Sequence, residues 1–205
     1  MIMMFRANWI LAGMAAAALG GCASLPGLAT PAQDDVVEPA VPVVETAPLR
    51  PELAPLTFLT GNCWKGTFPD GVLIDVHCYE VAYDGAFVRE VHAVPGETGI
   101  YRGETLYHWD PESEMIHYRY YTNTGGVSDG TAGMDGDALR FPDEIHRYAD
   151  GRVQIFSSQL ERIGEDSYRV VSNDVTDGAN PVEVYSMVYE RITRDEAFAL
   201  IEGGL

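Results

Sequence analysis

Turn-forming dipeptides divide residues 56–192 of this chain into short segments of similar length. Most of the turns are 10 to 15 residues apart, and the segments between them are rich in Val, Ile, Tyr, Phe and Thr. The turns are Asp70-Gly71, Asp84-Gly85, Pro95-Gly96, Asp110-Pro111, Gly125-Gly126, Asp135-Gly136, Asp150-Gly151, Gly164-Glu165-Asp166 and Asp177-Gly178. Evenly spaced β-rich segments joined by Asp-Gly-type turns favour an antiparallel meander. The sequence therefore predicts an all-β domain in which consecutive strands pair.

The β-rich segments show no sustained helical periodicity. They cover residues 72–81, 86–94, 105–109, 115–122, 153–160, 168–175 and 182–192. About eight to ten strands fit the domain, which we expect to close as an up-and-down barrel, with a two-layer sandwich as the alternative. Several strands, such as 155–160, carry polar residues on both faces. That pattern agrees with a barrel that encloses a pocket. A packed barrel with a solvated outer face explains the pattern equally well.

One helix is predicted, at the C-terminal end of the chain. Thr193 and Glu196 have the spacing of a capping box, and residues 197–201 are good helix formers that precede Gly203-Gly204. We expect a short helix that covers an open end or edge of the sheet. The β-barrel domain with its terminal helix is assigned to residues 56–205.

The first 22 residues have the composition of a secretion signal. Arg6 precedes an apolar run over residues 9–19, and Gly20-Gly21-Cys22 follows it. A membrane-spanning helix needs about 20 apolar residues, whereas a run of this shorter length is typical of a signal peptide. The segment resembles the signal of bacterial lipoproteins. This resemblance implies that residues 1–21 are removed and that Cys22 is lipidated.

Residues 22–55 are predicted to form a disordered tether between the lipidated Cys22 and the barrel. Residues 23–55 contain seven prolines and no apolar periodicity, so they cannot bury a core. At polyproline spacing they reach at most roughly 100 Å. Neither Ala23 nor Ser24 is the aspartate that marks inner-membrane retention. The resemblance therefore implies a protein of the cell envelope, anchored by its acyl chains in the outer membrane and facing the periplasm.

The chain is strongly acidic, with a net charge of −18. Removal of residues 1–21 takes away one arginine and no acid, which leaves −19 on the mature chain. Such a surface repels nucleic acid and anionic lipid headgroups. We therefore predict no nucleic-acid partner. The acidity is explained by solubility or by a basic partner, and the sequence identifies no protein partner.

Two further cysteines, Cys63 and Cys78, flank the turn at Asp70-Gly71. A tight turn centred on that dipeptide places them opposite each other on adjacent strands. An oxidising compartment permits them to pair. A structural disulfide is therefore predicted, with two separate buried thiols as the alternative because Pro69 can enforce a longer loop.

Residues 58–66, FLTGNCWKG, resemble the first strand of calycin-type barrels, which include lipocalins, fatty-acid-binding proteins and nitrobindin-like domains. Residues 107–111 and 116–121 resemble the central hairpin of uncharacterised bacterial relatives. In lipocalins a tryptophan shortly after a glycine plugs one end of the barrel. The resemblance implies that role for Gly61 and Trp64, although they are one residue further apart than in the lipocalin motif. It also implies a pocket, without specifying a reaction.

Aromatic residues of the same hairpin are the candidate ligand contacts. Alternation along a strand places Tyr107 and Trp109 on one face, and likewise Tyr118 and Tyr120. Two arginines, Arg89 and Arg119, are candidates for neutralising a carboxylate head group. Cross-strand aromatic packing is the structural alternative. The predicted ligand is a small, partly apolar molecule.

No catalytic or metal site is predicted. The five histidines lack the H-x-H, H-x-x-x-H and H-E-x-x-H spacings, and a metal site needs three or more converging ligands. There is no G-x-S-x-G motif and no phosphate-binding glycine loop. No cofactor is predicted either. Haem is suggested only by the resemblance to nitrobindin-like domains, and no histidine matches the position of their ligand.

The sequence thus predicts a lipid-anchored envelope protein with a non-catalytic, ligand-binding barrel. One alternative is a structural or protein-interaction lipoprotein whose barrel is filled. The other is an enzyme whose active site lies in the lumen.

Overall fold

A computed structural model describes residues 47–178 and 180–202. The predicted signal peptide, the predicted lipidation site Cys22 and most of the predicted tether lie outside these residues. Among the described residues, no helix has the length and apolar character needed to cross a membrane.

Ten antiparallel strands form a closed barrel, in which each strand pairs with its neighbours in the chain and β1 closes the ring against β10. The strands are β1 Cys63–Thr67, β2 Ile74–Ala82, β3 Phe87–Gly96, β4 Gly99–Asp110, β5 Met115–Thr122, β6 Val127–Asp135, β7 Ala138–Arg147, β8 Val153–Arg162, β9 Ser167–Asp174 and β10 Val182–Ile192. This topology confirms the predicted up-and-down β-barrel and excludes the sandwich.

One end of the barrel is closed by the segment that precedes β1. A 3₁₀ helix, Pro51–Leu56, places Leu53 and Leu56 in the core, and Leu59 is buried beside them. Residues 51–55 therefore belong to the folded domain, although their proline-rich composition assigned them to the tether. The reason is the spacing of these leucines by three residues, which gives a short helix one apolar side to lay over the barrel end.

Gly61 and Trp64 lie at this closed end. Gly61 has a φ of 74°, and its N–H donates to the carbonyl of Tyr79, so the chain turns there from the closing segment into β1. The Trp64 ring is buried and packs edge-on against Tyr168, with ring centroids 5.0 Å apart. Its indole N–H donates to the carbonyl of Leu59 at 3.4 Å.

Cys63 and Cys78 are joined by a disulfide between β1 and β2, with their Cα atoms 4.1 Å apart. The two residues are directly opposite each other in the register of the hairpin. The connecting loop spans residues 68–73 rather than two residues, because pairing ends at Thr67 and Ile74. The disulfide ties the strand that follows the closing segment to its neighbour.

The C-terminal helix α1, Arg194–Glu202, confirms the predicted capping box. The N–H of Glu196 donates to the Thr193 hydroxyl, and the N–H of Thr193 donates to the Glu196 carboxylate. The helix was expected at an open end or edge of the sheet. It lies instead on the outer wall, where Ala197 packs in a cluster with Cys63 and Val76. A closed barrel leaves no edge to cover, so the helix buries its apolar side against the outward residues of β1 and β2.

Candidate functional site

The barrel lumen is packed near the closed end and contains a cavity further along its axis. The cavity has a volume of about 210 Å³. A second cavity of about 240 Å³ lies towards the other end and shares Tyr120, Glu144, Ser158 and Tyr185 with the first. The lumen is therefore only partly filled by side chains, and the two spaces are neighbours along one axis.

Tyrosine rings form most of the aromatic wall because glycines on nearby strands leave room for them. A Cβ added to Gly66 would lie 2.9 Å from the ring of Tyr189, and one added to Gly130 would lie 2.4 Å from the hydroxyl of Tyr118. In both cases the glycine lies directly opposite its tyrosine on the adjacent strand. The rings consequently lie along the barrel wall, where a larger residue in place of glycine would push them into the cavity.

A cluster of acidic residues and histidines lies in the cavity wall, on the lumen side of β2 and β3. Alternation places Asp75 and His77 on the lumen side of β2, and Glu90 and His92 on the lumen side of β3. The register of the two strands puts His77 opposite His92. We refer to these four residues as the acid–histidine cluster.

Hydrogen bonds connect all four members of the cluster. His77 contacts Glu90 through Nδ1, and its Nε2 lies 2.7 Å from Oδ2 of Asp75. The other carboxylate oxygen of Asp75 lies 3.1 Å from Nδ1 of His92. The hydroxyl of Tyr189 donates to Asp75 at 3.0 Å. The two buried carboxylates are thus bridged by an imidazole ring, which is the arrangement that a buried charge requires.

The protonation of the cluster follows from these contacts. Burial alone would lower the pKa of His77, but the charges of Asp75 and Glu90 raise it to about 10. Burial alone would raise the pKa of both carboxyls, yet the positive charge of His77 holds them below their usual range. At neutral pH the centre of the cluster is a histidine cation between two carboxylates. His77 is therefore unsuited to act as a general base.

Phenolic hydroxyl groups extend the cluster into the cavity. The Tyr120 hydroxyl lies 2.6 Å from Nε2 of His92 and 2.8 Å from the Tyr101 hydroxyl. On the other side, the Tyr107 hydroxyl donates to Glu90 at 3.3 Å. Burial raises the pKa of Tyr107 and of Tyr120 above the ordinary value. These phenols stay protonated, so they act as hydrogen-bonding groups rather than as nucleophiles.

Glu144 faces the lumen from β7 and borders both cavities. It accepts a hydrogen bond from the Tyr118 hydroxyl at 3.2 Å. Burial raises its pKa, and the hydrogen bonds from Ser128 and Tyr118 offset only part of that rise. Glu144 is therefore the carboxyl group best placed to meet a molecule that occupies both spaces.

The structure brings three of the predicted ligand contacts to the cavity and places three elsewhere. Tyr107, Tyr118 and Tyr120 line the cavity. Trp109 faces the same side as Tyr107 but packs into the hydrophobic core without lining the cavity.

Arg89 and Arg119 lie on the outer face of the barrel, so the expectation that they meet a head group in the lumen is wrong. Arg89 pairs with Glu80 and Glu104, and Arg119 pairs with Asp129. The reason is alternation: each arginine is flanked by residues that face the lumen, so its own side chain points outward.

Sequence reasoning missed the acid–histidine cluster. The motif spacings H-x-H, H-x-x-x-H and H-E-x-x-H all join two histidines, whereas the two strands carry the patterns Asp75-x-His77 and Glu90-x-His92. An acid and a histidine two residues apart on a strand share one face. The presence of two such pairs on consecutive strands was the sequence signal that could have shown that the two acids and the two histidines lie together.

Comparison with known proteins gives no family assignment. No family model matches the sequence, and no curated protein matches it. Seventeen chains of solved structures match, among them the crystal structure of Rv2717c from M. tuberculosis. That structure is 13% identical, has a TM-score of 0.44, and covers 71% of this chain and 99% of its own chain. The site is therefore interpreted from its own geometry.

Proposed function

We propose that this protein is a lipid-anchored, calycin-like barrel that binds a small molecule in its lumen without transforming it. The observation that carries the proposal is the cavity of about 210 Å³ in the middle of the barrel, lined by tyrosine rings and by the acid–histidine cluster. Ligand sites combine apolar walls with a few placed polar groups, and this cavity has that composition. The same cavity favours binding over the alternative of a filled, purely structural barrel.

The size of the cavity limits the ligand to a small molecule. An empty protein cavity of about 150 Å³ holds benzene. A cavity of about 210 Å³ accepts one substituted ring, and the adjoining space of about 240 Å³ offers room for a longer substituent. The preferred ligand is therefore a single aromatic ring that carries a short polar chain.

The polarity of the wall favours a neutral or cationic ligand. Among the described residues that line the two cavities there is no arginine or lysine, whereas Asp75, Glu90 and Glu144 bring three carboxyl groups. Aromatic rings beside carboxylates attract cations. Arg89 and Arg119 lie on the outer face, and the His77 cation in the lining is already paired with Asp75 and Glu90, so it does not offset the charge of an anionic head group.

Haem, which the resemblance to nitrobindin-like domains implies, is not part of this proposal, because no histidine of the sequence matches the position of the haem ligand in those domains.

The binding proposal is tested with two one-ring probes of opposite charge, 2-phenylethylamine and 3-phenylpropanoate. We expect the amine to bind and the acid to bind at least about tenfold more weakly, by calorimetry. Ser158→Phe places a ring in both cavities and is expected to abolish binding of the amine. Gln159→Phe is the matched control, because the next residue on β8 faces outward and should leave binding unchanged. If 2-phenylethylamine binds Ser158→Phe and Gln159→Phe with equal affinity, the binding site is not in the lumen.

We propose further that the protein is anchored in the outer membrane and faces the periplasm. The support is the lipoprotein-like segment that ends at Cys22, together with the absence of an aspartate at Ala23 and Ser24. Stable anchoring by acyl chains requires at least two membrane-binding elements, and the three chains of a bacterial lipoprotein meet that requirement.

Replacing Cys22 by serine is expected to move the protein from the membrane fraction to the soluble fraction, because the acyl chains are then not attached. Ala23→Asp keeps the cysteine and is expected to shift the protein from the outer to the inner membrane. Fractionation of cells on a density gradient with an immunoblot measures both changes. Unchanged membrane association of Cys22→Ser would refute the anchor, and an unmoved Ala23→Asp would refute the outer-membrane assignment.

A further inference from the structure

The geometry points to a binding site for one divalent transition-metal ion, with Zn²⁺ as the best-fitting example, formed by Asp75, His77 and His92. This site lies in the wall of the cavity proposed for the organic ligand, but the argument for it does not depend on that ligand. One ligand atom from each of the three residues lies within 4.8 Å of the others. The atoms that face one another are the carboxylate oxygens of Asp75, Nε2 of His77 and Nδ1 of His92.

The three groups need little movement to surround an ion. Zinc binds imidazole nitrogen and carboxylate oxygen at about 2.0–2.2 Å, which places tetrahedral ligands about 3.3 Å apart. Nε2 of His77 lies 2.7 Å from one oxygen of Asp75, and Nδ1 of His92 lies 3.1 Å from the other. The pairing of β2 with β3 sets these positions, so small side-chain rotations suffice. Coordination replaces the proton between His77 and Asp75, as it does whenever an imidazole becomes a metal ligand.

The partners of the three ligand groups are a second and independent observation. In metal sites the ring nitrogen that does not bind the ion is held by a carboxylate or another acceptor, which orients the ring. Here Nδ1 of His77 is held by Glu90, and Nε2 of His92 contacts the Tyr120 hydroxyl at 2.6 Å. Tyr189 donates to the Asp75 carboxylate at 3.0 Å. Each of the three ligand groups is therefore held by a further residue: His77 by Glu90, His92 by Tyr120 and Asp75 by Tyr189.

The nature of the groups selects the metal. Imidazole ligands suit zinc, copper, iron and nickel, whereas magnesium and calcium prefer all-oxygen sites. The carboxylates of Asp75 and Glu90 supply two negative charges beside a divalent ion. Three protein ligands leave one of the four positions of a tetrahedral ion free. Because all three ligands line the central cavity, the free position opens into that cavity.

Zinc titration of the chelator-stripped Cys22→Ser protein tests the site, with the metal alone as the probe. We expect one ion per chain by calorimetry and an affinity at least about tenfold lower in His92→Gln. His146→Gln is the matched control. His146 is another buried lumen histidine, but its Nδ1 contacts Ser128 and it lies outside the cluster. Its replacement is expected to leave the affinity unchanged.

A second variant keeps the test decisive if His92→Gln fails to fold. Glu90→Gln retains a hydrogen-bonding side chain behind His77 and is expected to weaken zinc binding by about 10- to 100-fold. Bound Co²⁺ is expected to give the visible absorption of a tetrahedral site in the parent protein. Absence of stoichiometric zinc binding by the parent protein overturns the proposal, as does an equal loss in His146→Gln and His92→Gln. Because no organic probe is present, failure of the ligand proposal does not affect this result.

Discussion

Replacing His77 by leucine is expected to lower the free energy of unfolding at pH 7 by about 3–5 kcal/mol. The substitution removes the imidazole that bridges Asp75 and Glu90 and leaves two carboxyl groups buried in the lumen without their cation. Removing one partner of a buried ion pair costs far more than removing an exposed one, because the remaining charge has lost its access to water. Small domains have about 5–15 kcal/mol of stability in total, so the loss is a large fraction of it.

The same substitution is expected to change how stability depends on pH. The pKa of His77 is about 10 in the folded protein and 6.5 for the free side chain. A raised pKa stabilises the folded state fully below the unfolded value, and this contribution declines as the pH rises through the folded value. The parent protein should therefore lose about 1.4 kcal/mol per pH unit between pH 6.5 and 10, and His77→Leu should lack this slope.

The carboxyl groups of the cluster determine how stability depends on pH under acidic conditions. The folded protein holds the pKa of Asp75 and of Glu90 below the ordinary values. Their contribution is present above about pH 4 and is lost as the pH falls further. In His77→Leu both groups bind protons more readily, so the gap in stability between parent and variant should narrow under acidic conditions.

His146→Leu provides the matched control, because it deletes a buried lumen histidine that has no carboxylate partner. We expect a cost of about 0.5–1.5 kcal/mol from the loss of the hydrogen bond between His146 and Ser128, with the slope between pH 6.5 and 10 retained. Urea denaturation in the presence of a chelator, from pH 3 to 10, measures both variants. If His77→Leu costs no more than His146→Leu and keeps the slope, the charge arrangement of the cluster is wrong.

The strand order and the terminal helix could be predicted because they depend on local chemistry. Asp-Gly turns set the hairpins, and the Thr193–Glu196 capping box set the start of α1. Strand β7 was not among the predicted segments. Its Pro142 and Asp143 interrupt the apolar pattern, and the register shifts there between Phe141 and Glu144. A bulge of this kind is invisible to a search for regular alternation.

The site could be predicted only in part, because core prediction assigns charged residues to the solvent side and several charged residues of this barrel face the lumen. Glu90 is buried, and a lone glutamate on a strand is normally assigned to the solvent side. Its burial is tolerated because His77 reaches it from the adjacent strand, and that contact depends on the register of β2 with β3. Conflicts between local pattern and fold are expected at functional sites.

Replacing Trp64 by alanine is expected to lower the free energy of unfolding by about 3–5 kcal/mol. The ring is 1% exposed and packs edge-on against Phe58 and Tyr168. Its loss leaves a cavity directly beneath the leucines of the closing segment, and the barrel strands cannot collapse around it because their pairing holds them apart. Trp109→Ala removes the same atoms from a partly buried position and should cost less than about 2 kcal/mol.

Hydrogen exchange in the closing segment shows whether Trp64 supports that segment or is an ordinary core residue. If Trp64 supports the closing segment, Trp64→Ala should speed hydrogen exchange in the 3₁₀ helix Pro51–Leu56 more than in the central strands, whereas Trp109→Ala should not. Trp64→Phe keeps a ring against Tyr168 and loses the bond to the Leu59 carbonyl, so it should restore most of the stability lost in Trp64→Ala. Equal exchange in the helix of all three variants would mean that the closing segment is held by its leucines alone, with the tryptophan acting only as core volume.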